Sequence, residues 1–216
     1  MSKNYKYILL DLDGTLTNPE LGIINCVIYA LEKFGIKTED RKTLLPYIGP
    51  PLSYSFHNFS GLSLQDSEEA VKLYRERYST VGLYENEVYT GIPELLQKLK
   101  DQGKILILAT SKPEEFAIQI LKHFDLEKYF DYIAAATMDD SRSLKSDVIA
   151  YGLGLAGIFD TTEAVMIGDR KYDIVGATEN ELDSIGVLYG FGSREELTES
   201  GATYIASTVE DILQFV

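Results

Sequence analysis

The sequence has little cysteine, few basic residues and no long hydrophobic run. Its single cysteine, Cys26, excludes an intrachain disulfide, and the apolar stretch around it is typical of a small buried thiol. Near the N-terminus, the apolar run at residues 7–10 is too short for a signal-peptide core or a membrane span. We therefore expect a cytoplasmic protein that does not associate with a membrane.

The charge of the chain is strongly acidic. Its 216 residues include 20 Lys and Arg against 34 Asp and Glu, which gives a formal net charge of -14. A field of this sign repels polyanions, so we expect no nucleic acid polymer as a partner. A small anionic substrate would need local cations or a metal ion to reverse the potential inside its site. The sequence does not identify a protein partner.

Short apolar runs alternate with helix-like segments through the second half of the chain. The runs have the length of buried strands, and their alternation with helices indicates an α/β fold with a doubly wound parallel sheet. Strands are expected at residues 5–10, 104–109, 132–136, 164–167, 184–189 and 204–205, and helices at residues 113–123, 146–156, 172–180 and 209–216.

An insertion separates the first two predicted strands. A crossover between parallel strands needs only about a dozen residues, whereas Asp11 and Lys104 are much farther apart in the chain. Apolar residues fall at helical spacing in residues 23–34 and 70–78, so we expect the insertion to be helical. The predicted organisation is an α/β core from residues 1–16 and 87–216 and a helical domain from residues 17–86.

Two acids, Asp11 and Asp13, follow the first predicted strand directly. Ligands of open parallel sheets bind outside the carboxyl ends of the strands, and on an extended chain these two side chains project to the same side. Carboxylates this close repel each other, which favours a divalent cation between them. The alternative is that Asp13 and Gly14 form only a turn after the strand.

A second acidic pair, Asp169 and Asp173, follows the predicted strand at residues 164–167. If a helix begins there, the four-residue spacing brings the two side chains together as one metal ligand and one orienting acid. The alternative is that Asp169 caps the helix and Asp173 is a solvated charge.

Between the two acidic pairs lie groups that could bind a phosphate. Thr110 and Ser111 close the second predicted strand before a helix opened by Pro113, so hydroxyls and backbone N–H donors could converge at a helix N-terminus. Lys145 could supply a fixed positive charge, and Lys112 is its rival for that role. The alternatives are an ordinary helix cap and solvated lysines.

These motifs together resemble those of the haloacid dehalogenase-like hydrolase superfamily. The order is DxDGT at residues 11–15, then Thr110, then Lys145, then GDxxxD at residues 168–173. The match is most similar to the phosphoglycolate phosphatase-like branch, which residues 89–104 and 141–153 also resemble. This resemblance implies a Rossmann-like core with a helical cap domain inserted after the first motif.

The resemblance also implies a magnesium-dependent phosphatase. Asp11 would attack phosphorus to form an aspartyl-phosphate, and Asp13 would protonate the leaving oxygen and later deprotonate water. Mg²⁺ would be held by Asp11, the backbone carbonyl of Asp13 and Asp169, with Asp173 in support.

The remaining motif positions would bind or support the substrate, a small phosphorylated metabolite. Phosphoryl oxygens would be held by Thr110 and Lys145, and Ser111, next to Thr110, is a further candidate for substrate binding. The supporting positions in the two acidic motifs would be Gly14, Thr15 and Gly168.

Substrate choice would depend on the inserted domain. The candidate specificity loop contains Tyr47, Ile48, Gly49 and Pro50, although it could equally be a plain connection between helices. Arg41 or Lys42 could meet a substrate carboxylate or could be solvated. Phosphoglycolate, a nucleoside 5'-monophosphate and a broad set of small phosphomonoesters all remain open, because fold and motif do not name the leaving group.

Three other functions agree less well with the sequence. A sugar-phosphate mutase is disfavoured because the cap entry at residues 17–20 lacks the histidine associated with those enzymes. A receiver-type phospho-aspartate signalling module is short, has no helical insertion and lacks an acid at the position of Asp13. A catalytically idle relative is disfavoured because every expected catalytic position is filled.

Overall fold

The computed structural model describes residues 3–139 and 141–216. The chain divides into two compact units, one formed by Met1–Thr17 with Val88–Val216 and the other by Asn18–Glu87. That the second unit acts as a cap stays a prediction. No helix in the described part of the chain is both long enough and apolar enough to cross a membrane.

The first unit is built on a six-stranded sheet in the order β5-β4-β1-β6-β7-β8, and every neighbouring pair in it is parallel. The predicted α/β fold is therefore confirmed. β2 and β3 form a separate two-stranded sheet. The strands are β1 (Tyr7–Leu10), β2 (Thr17–Asn18), β3 (Glu87–Val88), β4 (Ile105–Pro113), β5 (Tyr132–Ala136), β6 (Ala164–Gly168), β7 (Asp183–Val187) and β8 (Tyr204–Ala206).

The helices follow the alternation that the sequence predicts. They are α1 (Glu20–Lys33), α2 (Leu52–Ser60), α3 (Leu64–Tyr78), α4 (Ile92–Asp101), α5 (Glu114–His123), α6 (Lys145–Ala156), α7 (Lys171–Glu179) and α8 (Arg194–Glu199). The prediction missed α2, α4 and α8. The expected closing helix at residues 209–216 is a short 3-10 turn, Glu210–Gln214.

One face of the sheet positions the helix that carries Lys145. Alternate strand residues, including Leu9, Ile107 and Met166, are fully buried in a single core cluster. Val148 and Ile149 of α6 belong to the same cluster. Because α6 packs on the central strands, its first residue is held at their carboxyl ends.

The second strand is longer than expected. β4 runs to Pro113, with a register irregularity between Thr110 and Pro113, and α5 begins at Glu114. Thr110 and Ser111 therefore lie within the strand, and they do not open a helix. The first turn of α5 also carries Glu114 and Glu115, which disfavour an anion there. An anion site at that helix N-terminus stays a prediction.

The second unit is helical, as the spacing of its apolar residues predicts. It contains α1, α2 and α3, with 3-10 turns at Arg41–Tyr47 and Gly82–Tyr84. Its buried residues include Val27, Leu31 and Tyr74. These residues lie at the helical spacing that indicates α1 and α3.

Candidate active site

Adjacent strands bring the two acidic motifs together. β1 pairs with β6 so that Leu10 lies opposite Ile167, and the backbone N–H of Asp11 donates to the carbonyl of Ile167 at 3.0 Å. Asp169 follows the last residue of β6. Asp11 and Asp169 are therefore carried to the same edge of the sheet, as the position of both motifs after strands predicts.

Three carboxylates form a compact buried cluster at this edge. One ligand oxygen each from Asp11, Asp169 and Asp173 lies within 4.8 Å of the others. Oδ1 of the fully buried Asp169 has no hydrogen-bond partner within residues 3–139 and 141–216. A buried set of carboxylate oxygens that includes an unpaired acceptor fits Mg²⁺, a hard cation that prefers oxygen ligands. The donor set therefore suits the cation that the motifs imply.

Burial makes the charged form of this cluster costly without a cation. Burial, with the nearby Asp173 and Asp11 charges, raises the pKa of Asp169 well above its usual value. Burial also raises the pKa of Asp173 to about 6, although the Lys145 ammonium opposes the shift. The buried Asp173 is not a solvated charge, because its Oδ2 accepts the backbone N–H of Arg170 at 3.0 Å.

Lys145, the first residue of α6, bridges two of the acids. Its Nζ lies 2.7 Å from Oδ1 of Asp11 and 2.9 Å from Oδ1 of Asp173, and it donates to the carbonyl of Ala109 at 3.1 Å. Burial disfavours the ammonium, but the two carboxylates outweigh it and raise the pKa of Lys145. Lys145 is therefore a fixed positive charge beside Asp11, and it is not a solvated surface lysine.

The other candidate lysine, Lys112, has a different partner. Its buried ammonium donates to Oδ2 of Asp13. Burial raises the pKa of Asp13 despite the opposing charge of Lys112, and the Asp11 charge adds to the rise. The two lysines are thus divided between the two acids of the first motif, Lys145 beside Asp11 and Lys112 beside Asp13.

Thr110 and Ser111 differ in how they are held. Thr110 is buried, and its hydroxyl oxygen accepts the backbone N–H of Lys112 at 3.2 Å. Ser111 is half-buried. Both lie on β4, the neighbour of β1, and their predicted contact with phosphoryl oxygens stays a prediction.

Two of the predicted supporting glycines make room for the acids. A Cβ on Gly14, which has φ +86°, would lie 2.2 Å from Oδ2 of Asp169. A Cβ on Gly168 would lie 2.1 Å from Cγ of Asp173. Thr15, the third supporting residue, is fully buried. Both acidic motifs therefore need glycine at these positions for close packing.

The segment Tyr189–Gly192, which follows β7, contacts the site, and the sequence analysis did not identify it. The backbone N–H of Phe191 donates to Oδ2 of Asp169 at 2.8 Å, and the hydroxyl of Tyr189 donates to the carbonyl of Thr15 at 3.0 Å. The available signal was a pair of glycines, Gly190 and Gly192, soon after a strand that neighbours β6.

The predicted specificity loop lies in the second unit. Tyr47, Ile48 and Pro50 are buried and Gly49 is exposed. The Tyr47 hydroxyl pairs with that of Ser60, and its ring meets Phe56 edge-on at 5.3 Å. These contacts are packing within the unit, and a role in specificity stays a prediction.

The charged candidates for a substrate carboxylate are exposed in the same unit. Arg41 donates to the side-chain carbonyl of Asn25 at 2.8 Å, and Lys42 is solvent-exposed. Neither observation identifies a substrate group.

Comparison with known proteins identifies the family. The family model described as haloacid dehalogenase-like hydrolase matches residues 8–187. The chain belongs to the haloacid dehalogenase-like hydrolase family. The resemblance that the four motifs indicate is confirmed, and the matched range of this hydrolase contains Asp11, Thr110, Lys145 and Asp169.

The relatives of this hydrolase carry several names. It is 42% identical over 210 residues to the 5'-nucleotidase of Pseudomonas aeruginosa, covering 97% of this chain and 95% of that protein. It is 35% identical over 208 residues to the tyrosine-protein kinase PtkA of Mycobacterium tuberculosis, covering 95% of this chain and 70% of that protein. The crystal structure of a predicted phosphatase from Clostridium acetobutylicum matches it with a TM-score of 0.94 at 46% identity, covering 98% of each chain. The family and its phosphatase-named relatives identify this hydrolase as a phosphatase.

Proposed function

We propose that the protein is a Mg²⁺-dependent phosphatase that hydrolyses small phosphomonoesters through an aspartyl-phosphate on Asp11. The observation that carries the proposal is the cluster of Asp11, Asp169 and Asp173. One ligand oxygen of each lies within 4.8 Å of the others, and Lys145 bridges Asp11 and Asp173. Carboxylates converging on a cation site beside a fixed ammonium are the arrangement that phosphoryl transfer requires.

The cation would be held by the carboxylates of Asp11 and Asp169 and by the backbone carbonyl of Asp13. Asp173 would support the site, because its Oδ2 is already fixed by the backbone N–H of Arg170. When bound, Mg²⁺ supplies charge neutralisation to the phosphoryl group and to the attacking carboxylate.

Asp11 would be the nucleophile. A carboxylate approaching a phosphate dianion is repelled, and the ammonium of Lys145 beside Asp11 offsets that repulsion. Attack forms the bond from the Asp11 carboxylate oxygen to phosphorus and breaks the bond from phosphorus to the leaving oxygen.

Asp13 would be the general acid and then the general base. Burial raises its pKa, which favours a proton on the carboxyl at a pH where an ordinary aspartate is ionised. That proton passes to the leaving oxygen, and the resulting carboxylate removes a proton from the water that hydrolyses the aspartyl-phosphate. Lys112, which pairs with Asp13, would fix the orientation of the Asp13 carboxyl group.

Phosphoryl oxygens would be bound by Lys145, by the Thr110 hydroxyl and by Ser111. Thr110 is fixed by the N–H of Lys112, and Lys145 is buried. Buried donors are worth more in a dry site than in water.

For the leaving group we propose a nucleoside. The support is the 42% identity, over nearly the whole chain, to a protein named a 5'-nucleotidase. The second candidate is phosphoglycolate, supported by the resemblance of residues 89–104 and 141–153 to the phosphoglycolate phosphatase-like branch.

A substrate panel tests the class and the leaving group together. Phosphate release is measured from nucleoside 5'-monophosphates, phosphoglycolate, sugar phosphates and an aryl phosphate, each with Mg²⁺ and with excess chelator. We expect turnover only with the metal and the largest kcat/KM for a nucleotide. Equal rates with chelator, or no hydrolysis across the panel, would contradict the proposal.

Variants of two aspartates test the nucleophile. Asp11→Asn should abolish turnover, and Asp147→Asn, at an exposed position on α6, should leave it unchanged. A receiver-type module would instead accumulate a long-lived phosphate on Asp11 without turnover, which acid-quenched labelling detects.

A further inference from the structure

We infer that the segment Tyr189–Gly192 positions the cation ligands, with the Phe191 backbone N–H orienting Asp169 and the Tyr189 hydroxyl fixing the turn that follows Asp13. This inference rests on the proposed function, because it concerns the same cation site. The segment contains none of the four motifs.

The first contact fixes one oxygen of Asp169. The Phe191 N–H donates to Oδ2 at 2.8 Å, whereas Oδ1 has no hydrogen-bond partner among the described residues. A donor on one carboxylate oxygen sets the rotation of the group and leaves the other oxygen for a metal ion. Outer groups of this kind orient metal ligands and tune metal affinity.

The second contact fixes the loop of the first motif. The Tyr189 hydroxyl donates to the Thr15 carbonyl at 3.0 Å, and its ring packs edge-on against Tyr89 at 5.1 Å. Burial and the nearby Asp169 charge raise the pKa of Tyr189, so the phenol keeps the proton that it donates. Thr15 is two residues from Asp13, whose carbonyl is the expected metal ligand. Displacing the Thr15 carbonyl would therefore move that ligand.

The glycines of the segment allow this close approach. A Cβ on Gly190 would lie 2.3 Å from the Gly14 carbonyl oxygen and 2.4 Å from Cβ of Asp169. A Cβ on Gly192 would lie 1.9 Å from the Asp169 backbone oxygen, which cannot rotate away. Side chains at these positions would push the segment off Asp169 and Gly14.

Both contacts come from one short segment, and they hold residues that follow two different strands. Asp169 follows β6 and Thr15 belongs to the turn after β1. Tyr189–Gly192 therefore contacts both acidic motifs of the proposed metal site. We therefore expect the segment to set the affinity for the cation more than the affinity for the substrate.

Direct cation binding tests the inference without relying on turnover. Bound Mn²⁺ is counted by electron paramagnetic resonance, and Mg²⁺ is measured by competition. Tyr189→Phe removes the hydroxyl and keeps the ring. We expect it to weaken cation binding about tenfold, as second-layer changes at metal sites do. Gly192→Ala should weaken binding at least as much.

Matched controls separate positioning from general damage. Tyr132→Phe removes a hydroxyl from the edge strand β5, and Gly154→Ala adds a methyl group where nothing lies within 4 Å. Both should bind the cation like the wild type. At saturating Mg²⁺, Tyr189→Phe should recover most of its kcat with an unchanged KM, which a merely destabilised fold would not do.

The outcomes distinguish this inference from the proposed function. If the wild type binds the cation and both Tyr189→Phe and Gly192→Ala bind it within about twofold of wild type, the positioning role is overturned. The proposed function is then unaffected. Tyr189→Phe decides the matter if Gly192→Ala does not fold. If the wild type binds no divalent cation, the proposed function and this inference fall together.

Discussion

The ammonium of Lys145 lies 2.7 Å from the carboxylate of Asp11. The two residues are far apart in the sequence, and they meet because α6 packs on the sheet whose central strand β1 ends just before Asp11. This pair joins the proposed nucleophile to a permanent positive charge.

Replacing Lys145 should reduce catalysis strongly. Lys145→Met removes the charge beside Asp11 and leaves Asp11 and Asp173 without their buried partner. We expect kcat to fall by about 10²–10³, the usual loss for one donor to developing charge. Steady-state kinetics on an aryl phosphate measures this. Lys100→Met, which breaks an ion pair with Asp131 on the surface, is the control, and a Lys145→Met enzyme within threefold of the control would contradict the assignment.

Asp13→Asn should separate the two steps of the reaction. An aryl leaving group such as p-nitrophenolate departs without protonation, so the first step survives, but the hydrolytic water loses its base. We expect a rapid burst of about one equivalent of product, followed by turnover slowed by about 10²-fold or more. Stopped-flow absorbance records the burst. A linear time course at the wild-type rate would mean that Asp13 is not the base.

Without metal, the acidic cluster should lower stability as pH rises. The folded pKa of Asp173 is about 6, above its ordinary value of 3.8. Its contribution to stability is therefore complete below about pH 3.8 and is lost as pH rises through 6. The raised pKa of Asp169 acts in the same direction.

Thermal melts in chelator from pH 5 to 8 check this dependence. We expect the melting temperature of Asp169→Asn to fall less with pH than that of the wild type, because one ionising group has been removed. Added Mg²⁺ should raise the wild-type melting temperature most at pH 8, where the carboxylates are ionised. Parallel pH profiles for the two proteins would contradict the assignment.

Two glycine-to-alanine changes should have opposite effects. Gly168→Ala puts a methyl group 2.1 Å from Cγ of Asp173 and should lower both stability and cation affinity. Gly154→Ala, within α6 and with open space around it, should raise stability by about 0.5–1 kcal/mol through helix propensity. Chemical denaturation measures both. A stabilised Gly168→Ala variant would show that Asp173 does not need that space.

The sequence predicted most of the fold because buried parallel strands and amphipathic helices have distinct apolar patterns. The prediction failed at the end of the second strand, where hydrophobicity marks no sharp boundary. The second strand continues past Ala109 through polar residues to Pro113, so its true end could not be recognised from hydrophobicity alone.

The site was predictable where its residues follow strands in sequence. Asp11 and Asp169 do so on neighbouring strands, and the structure brings both into one cluster. The roles of Lys112 and Lys145 could not be separated from the sequence, because their partners depend on side-chain direction. Phe191 was missed because its backbone N–H, which any residue other than proline could supply, makes the contact.

The position of β1 at the centre of the sheet has a consequence for biosynthesis. Its partners on either side, Leu108 and Ile167, lie far downstream of Leu10. At about 5–20 residues per second, a ribosome needs roughly 8–30 s to translate from Leu10 to Ile167. Until then β1 lacks its β6 neighbour, and Asp11 lacks the two other acids of the cluster. Enzymatic competence therefore arrives late in translation, and prematurely terminated products should be inert.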